Sequence, residues 1–354
     1  MIVEEVKDLS YVNAILAAQT RILIENKKSL VIGINVTSPS AIFGSVRNLI
    51  QTFGPERIIE SPASENAITG IALGLATSGH TTILIHQRMD FAILSFDMLI
   101  NQVAKWNYMY GDKLKSPLII RMIVGRGWGQ GPQHSQSLHN TFMHVPGFRL
   151  YMPSSPQDIY SGLMEASRLD SPSIFFEHRW LYESIGTVDT SKQALEYTTR
   201  PLSVSDESLL TVVTISFATL ETLRAEKILQ EQNLAIDVFE LVRLDKLDLE
   251  AILKSIKRTG KLLIVDIGHS FAGAAAAVLS ELTSLGASFG HTPQILGLSN
   301  HPTPTAPSLA KDFYPRCIDI LNAIKEILCL STNFSDPDVN SHLDVPGDRF
   351  IGYY

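Results

Sequence analysis

At 354 residues the chain is long enough for two domains, each with a full core. Hydrophobic residues make up 45% and charged residues 18%; the formal net charge of −7, with no basic run, argues against a general nucleic-acid footprint. Cys317 and Cys329 are the only cysteines, which excludes a disulfide framework and a cysteine metal cluster and makes a reducing cytoplasm the expected compartment.

The opening stretch MIVEEVKDLS is acidic and lacks the basic-then-apolar order of a signal peptide. No apolar run reaches the roughly 18 residues of a membrane span, so no membrane partner is expected. Tyr11 to Asn26 has helical spacing, and Ser29 to Val36 (SLVIGINV) reads as a buried strand. Gly44 to Phe53 reads as a short helix and Arg57 to Ile59 as a short strand. Ser61 is placed to cap a helix with Pro62 at its first position, running to about Ser78 with Gly79 as its C-cap. Thr82 to His86 reads as a buried strand, Phe91 to Tyr110 as a long amphipathic helix and Leu118 to Val124 as a strand.

A glycine-rich loop follows, Gly125 to Gln136 (GRGWGQGPQHSQ). Then come a strand from Arg149 to Met152, a helix from Gln157 to Leu169 and a strand from Ser173 to Glu177. The pattern fades into polar residues from about Gly186 to Glu207 and then resumes. Strands are expected at Leu209 to Phe217, Ala235 to Leu241, Lys261 to Asp266 and Gln294 to Leu298. Helices are expected at Thr219 to Gln232, Asp248 to Arg258, Gly273 to Leu285 and Cys317 to Leu328. Such alternation predicts an α/β fold: two three-layer α/β/α domains with mostly parallel sheets. The expected division is 1–186, a linker 187–207, a second domain 208–330 and a polar tail 331–354.

Glu65 stands at the mouth of a very apolar helix, in which Gly70, Ala72, Gly74 and Ala76 permit close packing. A half-desolvated acid there can share a proton with a ligand nitrogen. An acid in a first turn is also favoured by the helix dipole with no functional purpose, and on these residues alone that reading outweighs the other. Gly125, Gly127, Gly129 and Gly131 carry an entropic cost that close approach of backbone to a ligand would justify. No GK[ST] follows, so this is not a Walker loop. His134, just past them, is either a proton donor or acceptor at a cleft or a surface residue in a turn. His139 and His144 lack a clustered acid, which disfavours zinc. His86, in a strand, reads as packed, and Phe91 as either a stacking platform or a core residue.

Taken together and in order, SPASENAITGIALGLATSG, SFDMLINQVAKWNYMYG, GPQHSQS, PGFRLYMPSSPQD and HPTPTAPSL carry a resemblance. Over roughly residues 5–328 the chain resembles the β subunits of thiamine-diphosphate-dependent 2-oxo acid dehydrogenase E1 components. More broadly, it is similar to the pyrimidine-binding and C-terminal domains of transketolase-like enzymes. The resemblance implies that Glu65 hydrogen-bonds the aminopyrimidine of thiamine diphosphate, that Phe91 packs that ring and that Gln87 lies in its pocket. It places His134 toward the substrate and the acyl-acceptor channel. Carbonyls at Leu118, Ala166 and Leu169 fall near a structural monovalent-cation (K+) site of some relatives.

The family's GDG and asparagine elements, which hold the diphosphate and Mg2+, are not found here; Gly111-Asp112-Lys113 is not one. The resemblance therefore implies a separate α subunit that supplies them, in an α2β2 assembly, and a lipoyl acyltransferase as a further partner. The implied activity is decarboxylation of a 2-oxo acid followed by acyl transfer. A carboligase or transketolase-like ketol transfer is an alternative, and a non-catalytic scaffold is an alternative of another class. Departures lie at Ile85 and His86, where the family carries an acid-phenylalanine pair, at Asp266-Ile267 in place of an acid pair, and at His269-Ser270. They bear on the substrate and on the acceptor.

Overall fold

The computed structural model describes residues 5–125, 130–310 and 312–337, with the side chain of Pro307 left aside. The described residues divide into two units, one containing 5–125 together with Thr141–Glu196, the other 130–140 and the described residues from Tyr197 to 337. No helix among the described residues is long and apolar enough to cross a membrane.

The first unit is built on six parallel strands. In chain order, β1 is Val6–Ser10, β2 Leu30–Gly33, β3 Ile58–Glu60, β4 Thr82–His86, β5 Leu118–Val124, β6 Arg149–Tyr151, β7 Ser173–His178 and β8 Ile185–Asp189. The sheet order is β3-β2-β4-β5-β7-β6, and β1 pairs with β8 in a separate antiparallel ribbon. β2, β4, β5 and β7 are buried at every position, so both faces must be covered. Register shows by what. Ile85 pairs with Arg121 and His86 with Met122, so alternation puts Arg121 on one face and His86 on the other. Arg121 donates to Gln19 of the helix Tyr11–Glu25, whereas Thr69 of the helix Glu65–Thr77 reaches His86. The two helices therefore cover opposite faces.

The second unit holds β9 Thr199–Ser203, β10 Thr211–Thr214, β11 Asp237–Leu241, β12 Leu262–His269 and β13 Gln294–Leu298. Its order is β13-β12-β10-β11-β9, parallel except for β9. The helices Ala218–Gln230 and Cys317–Leu328 pack together beside it. Both units are thus α/β with mostly parallel sheets, as the alternation predicts.

Several local expectations differ. Ser61 does not cap the helix: its hydroxyl donates to Pro62 O at 3.0 Å, and its N–H donates to Gly33 O at 3.0 Å, so it still belongs to the end of the sheet. The helix begins at Glu65, behind Ser64. It ends at Thr77, and Gly79 (φ +90°) lies one place beyond the C-cap Ser78. There Gly79 N donates to Ala76 O and His80 N to Leu75 O, the two bonds of a Schellman motif. The helix expected over Gly44 to Phe53 shrinks to Leu49–Phe53, because Ala41, Ile42, Phe43 and Gly44 all take positive φ. The long helix expected over Phe91 to Tyr110 is a broken path, with a π segment at Asp97–Gln102 between 3-10 turns at Ile93–Ser95 and Val103–Lys105. Against it, Gly147 (φ +116°) packs so closely that an added Cβ would stand 1.8 Å from Ala104 O. The stretch 187–207, expected as a linker, contains the end of β8 and all of β9.

The polar centre of the first unit is a fully buried ion pair. Arg121 Nε and Nη2 donate to the two Glu177 carboxylate oxygens at 2.6 and 2.8 Å. Arg121 Nη1 donates to Gln19 Oε1 at 2.8 Å, and Tyr182 OH to Glu177 Oε2 at 2.6 Å. Removing one partner leaves the other charge buried, so Arg121→Leu should cost about 3–5 kcal/mol of unfolding free energy in urea titrations. A change below about 1 kcal/mol would contradict this account.

Candidate active site

The carboxyl ends of parallel strands are where chains leave a sheet in different directions and open a cleft. In the first unit these ends lead to Asn35 after β2, Ser61 after β3, Gln87 and Arg88 after β4, Gly125 after β5 and Arg179 after β7. β3 and β4 flank β2. The residues that follow them, Glu65 on one side and Gln87 and Phe91 on the other, therefore bracket one crevice. The helix Glu65–Thr77 packs on the short helix Met89–Ala92, which carries Phe91.

Glu65 is half-buried, and its carboxylate has no hydrogen-bond or ion-pair partner among the described residues. Its backbone carbonyl accepts from Thr69 Oγ1 at 2.8 Å, and that hydroxyl stands 3.3 Å from His86 Nε2. Because the hydroxyl proton is committed to Glu65 O, His86 is the donor in the second contact. His86 is 2% exposed, and burial pushes its imidazole down to about 4, so it is neutral at ordinary pH. Gln87 is half-buried and its amide oxygen accepts from Asn35 Nδ2 at 2.9 Å. Asn35 is in turn held by Glu60, which accepts its N–H at 2.6 Å and that of Thr37 at 2.9 Å. Phe91 is 37% exposed.

Two buried arginines stand at the same end of the sheet. Arg179 lies over the rings of Phe43, 4.5 Å from its centroid, and Tyr182, at 5.1 Å, while Arg88 lies 5.8 Å from Phe43. Burial first, and the like charge of Arg88, lower the Arg179 guanidinium to about 10. Phe43 belongs to the positive-φ run at 41–44, so a strained turn supplies the ring that both cations meet. Nothing in the sequence pattern singled out these arginines; two cations following the carboxyl ends of different strands were the available signal.

His134 lies in the second unit, half-buried, with its N–H donating to Gly131 O at 3.3 Å. Glu65, Gln87 and Phe91 thus share one unit, and His134 is carried by the other. Of the loop glycines, Gly127 and Gly129 lie outside the described residues. Gly125 (φ +83°) makes a close approach, but to His178, whose Nε2 would stand 2.2 Å from an added Cβ. His144 is exposed, whereas His139 is fully buried 3.1 Å from Asp266. Leu118, Ala166 and Leu169 lie at the amino end of the first sheet, away from Glu65. Ala166 O accepts the Leu169 N–H at 3.2 Å. Leu169 lines a cleft of about 390 Å³ together with Lys113, Lys115, Arg168 and Asp170.

Two family models match the chain. Residues 7–184 match the transketolase pyrimidine binding domain, and residues 202–320 the transketolase C-terminal domain. The chain is 30% identical over 306 residues to the pyruvate dehydrogenase E1 component subunit beta of Rickettsia felis, covering 86% of this chain and 94% of that protein. It is 30% identical over 290 residues to the acetoin:2,6-dichlorophenolindophenol oxidoreductase subunit beta of Cupriavidus necator, covering 81% and 85%. It is also 30% identical over 281 residues to the 2-oxoisovalerate dehydrogenase subunit beta of Bacillus subtilis, covering 77% and 84%. Among solved structures, a split-gene transketolase described as an inactive beta4 tetramer superposes with a TM-score of 0.70 at 18% identity, covering 92% of this chain and 99% of that one. That likeness concerns the fold.

His86 yields a pH prediction. Its folded value of about 4 lies below the ordinary 6.5, so the unfolded chain binds the extra proton between these values. The associated stability is complete above pH 6.5 and is lost as pH falls toward about 4, a change on the order of 3 kcal/mol. His86→Phe should flatten this part of the pH dependence of urea unfolding. Identical slopes for both proteins would contradict the assignment.

Proposed function

The chain belongs to the transketolase-like family that includes the β subunits of 2-oxo acid dehydrogenase E1 components, and from that premise we propose that it is the β component of a heteromeric enzyme that decarboxylates a 2-oxo acid with thiamine diphosphate. The observation that carries this reading is Glu65: a half-buried carboxylate with no protein partner among the described residues, at the start of a helix beside a strand-end crevice. Such an acid fits a ligand nitrogen with which it can share a proton. When bound, the cofactor supplies a carbon nucleophile for the 2-oxo group and an electron sink for loss of CO2. Glu65 would hold the proton at the pyrimidine nitrogen, Phe91 would pack the ring, and Gln87, held by Asn35, would line the pocket. His134 would orient the acceptor or move a proton in the second half-reaction, worth about 10²–10⁴ in rate. The acceptor is proposed to be a lipoyl group on an acyltransferase.

The diphosphate and Mg2+ are assigned to an α partner, in an α2β2 assembly. Ile71 (53% exposed) and Leu94 (65%) support an interface here, on helical segments that pack together near Glu65. An added Cβ at Gly74, on the same helix, would meet nothing within 4 Å. The resemblance puts K+ at the carbonyls of Leu118, Ala166 and Leu169, but the surroundings do not fit a cation, because Ala166 O already accepts the Leu169 N–H at 3.2 Å and positive charge dominates the adjoining cleft. The cleft beside Leu169 is lined by three basic side chains, of which Lys115 is paired with Asp170.

One observation favours a second reading. The relative from Cupriavidus necator carries acetoin in its name and is as similar as the pyruvate dehydrogenase subunit, at 30% identity each. Cleavage of a hydroxyketone is therefore assayed beside decarboxylation.

In the enzyme assembled with its α partner, thiamine diphosphate and Mg2+, Glu65→Gln should lower CO2 release by about 10²–10⁴ with the fold intact. Wild-type turnover from that variant would overturn the proposal.

A further inference from the structure

The segment 130–140 belongs to the second unit and is pinned at both ends. At one end Gly131 (φ +72°) lies so close to Thr305 that an added Cβ would stand 2.5 Å from its hydroxyl. At the other, Asn140 Nδ2 donates to Ala272 O at 2.9 Å, and His139 Nε2 stands 3.1 Å from Asp266 Oδ1. His139 and Asp266 are both 0% exposed. The Asp266 carboxylate also accepts from Gly268 N at 3.1 Å and, through Oδ2, from Ala275 N at 3.4 Å. The imidazole fills the space above Gly268, where an added Cβ would stand 2.9 Å from His139 Cε1. A buried carboxylate facing three donors stays ionised: burial pushes Asp266 up, but His139 and the two backbone N–H groups outweigh it and hold the acid below its ordinary value.

We propose that His139 and Asp266 are a positioning pair, which holds the segment bearing His134 in a single register on the second unit. The inference rests on the reading of His134 given above. Neither residue of the pair meets substrate; both act by fixing where His134 stands. With the contact made at a ring atom five places along the chain, a shift of the imidazole moves the whole intervening turn. A misplacement of about 1 Å in a catalytic group is enough to cost on the order of 10²-fold in rate.

The experiment uses the assembled enzyme with thiamine diphosphate and Mg2+. It compares His139→Leu, His139→Gln, Asp266→Asn, His134→Ala and the double variant His134→Ala/His139→Leu. Turnover of the 2-oxo acid with acceptor is read together with amide hydrogen exchange of peptides covering 130–140. The expected result is that His139→Leu loses about 10-fold or more in kcat, while the double variant loses no more than His134→Ala alone, because both changes remove the same contribution. His139→Gln, which keeps an N–H donor at the same reach, should retain most of the turnover. Exchange should quicken within 130–140 in His139→Leu and Asp266→Asn, and stay unchanged elsewhere apart from the Gly268 and Ala275 amides, which donate to Asp266 itself. Additive losses in the double variant would overturn the proposal. If His134→Ala proves silent, the catalytic reading of His134 falls, and exchange alone decides the pair: local quickening supports it, and unchanged exchange overturns it. Should His139→Leu fail to fold, His139→Gln and Asp266→Asn carry the same two readouts.

Discussion

A guanidinium in the middle of a parallel sheet is tolerable only when its charge and its donors are matched inside the protein. Arg121 meets that condition through Glu177 on the neighbouring strand and Gln19 on the covering helix. Burial opposes both charges, and their mutual attraction together with the Tyr182 and Gln19 hydrogen bonds offsets it. The pair ties β5 to β7 and to the helix Tyr11–Glu25. It admits one register of β5 on β7 and one rotation of the helix Tyr11–Glu25 over the sheet. Gln19 passes the constraint on, since its amide N–H donates to Ser45 O at 2.7 Å, just beyond the positive-φ turn.

That turn connects the buried pair to the crevice. Phe43 meets Tyr182, whose hydroxyl closes on Glu177, and the Phe43 ring also lies under Arg179 and Arg88. Non-glycine residues at positive φ are costly, at roughly 1–2 kcal/mol each, and three in succession persist because Ile42 is fully buried and Phe43 is clamped. On the opposite face, Thr69 and His86 anchor the first turn of the helix that presents Glu65. Glu65 is thus held at its backbone and left open at its carboxylate, which is the arrangement that the proposed proton sharing requires.

In the second unit the same economy appears with a different pair. Asp266 gathers two backbone donors and one imidazole in β12, where this chain carries a single acid followed by Ile267. His139, on the 130–140 segment of the same unit, stands 3.1 Å from Asp266 Oδ1. Gly268 makes room for it.

The alternation of apolar strands and helices was enough to establish two parallel α/β units, because strands buried on both faces must be apolar along their whole length. Motif order was enough to place the chain in its family, because those segments match together. Local chemistry was less legible. Ser61 had every mark of an N-cap, yet its hydroxyl donates to Pro62 O and the helix starts only at Glu65, behind Ser64. The span 91–110 had helical periodicity, yet Gly147 pressed on Ala104 and the path broke into π and 3-10 turns. His139 read as a weak metal candidate because its acid, Asp266, lies far along the chain. Periodicity is local and can be read in sequence; partners for buried charges, and where a helix actually starts, are settled only when distant segments meet.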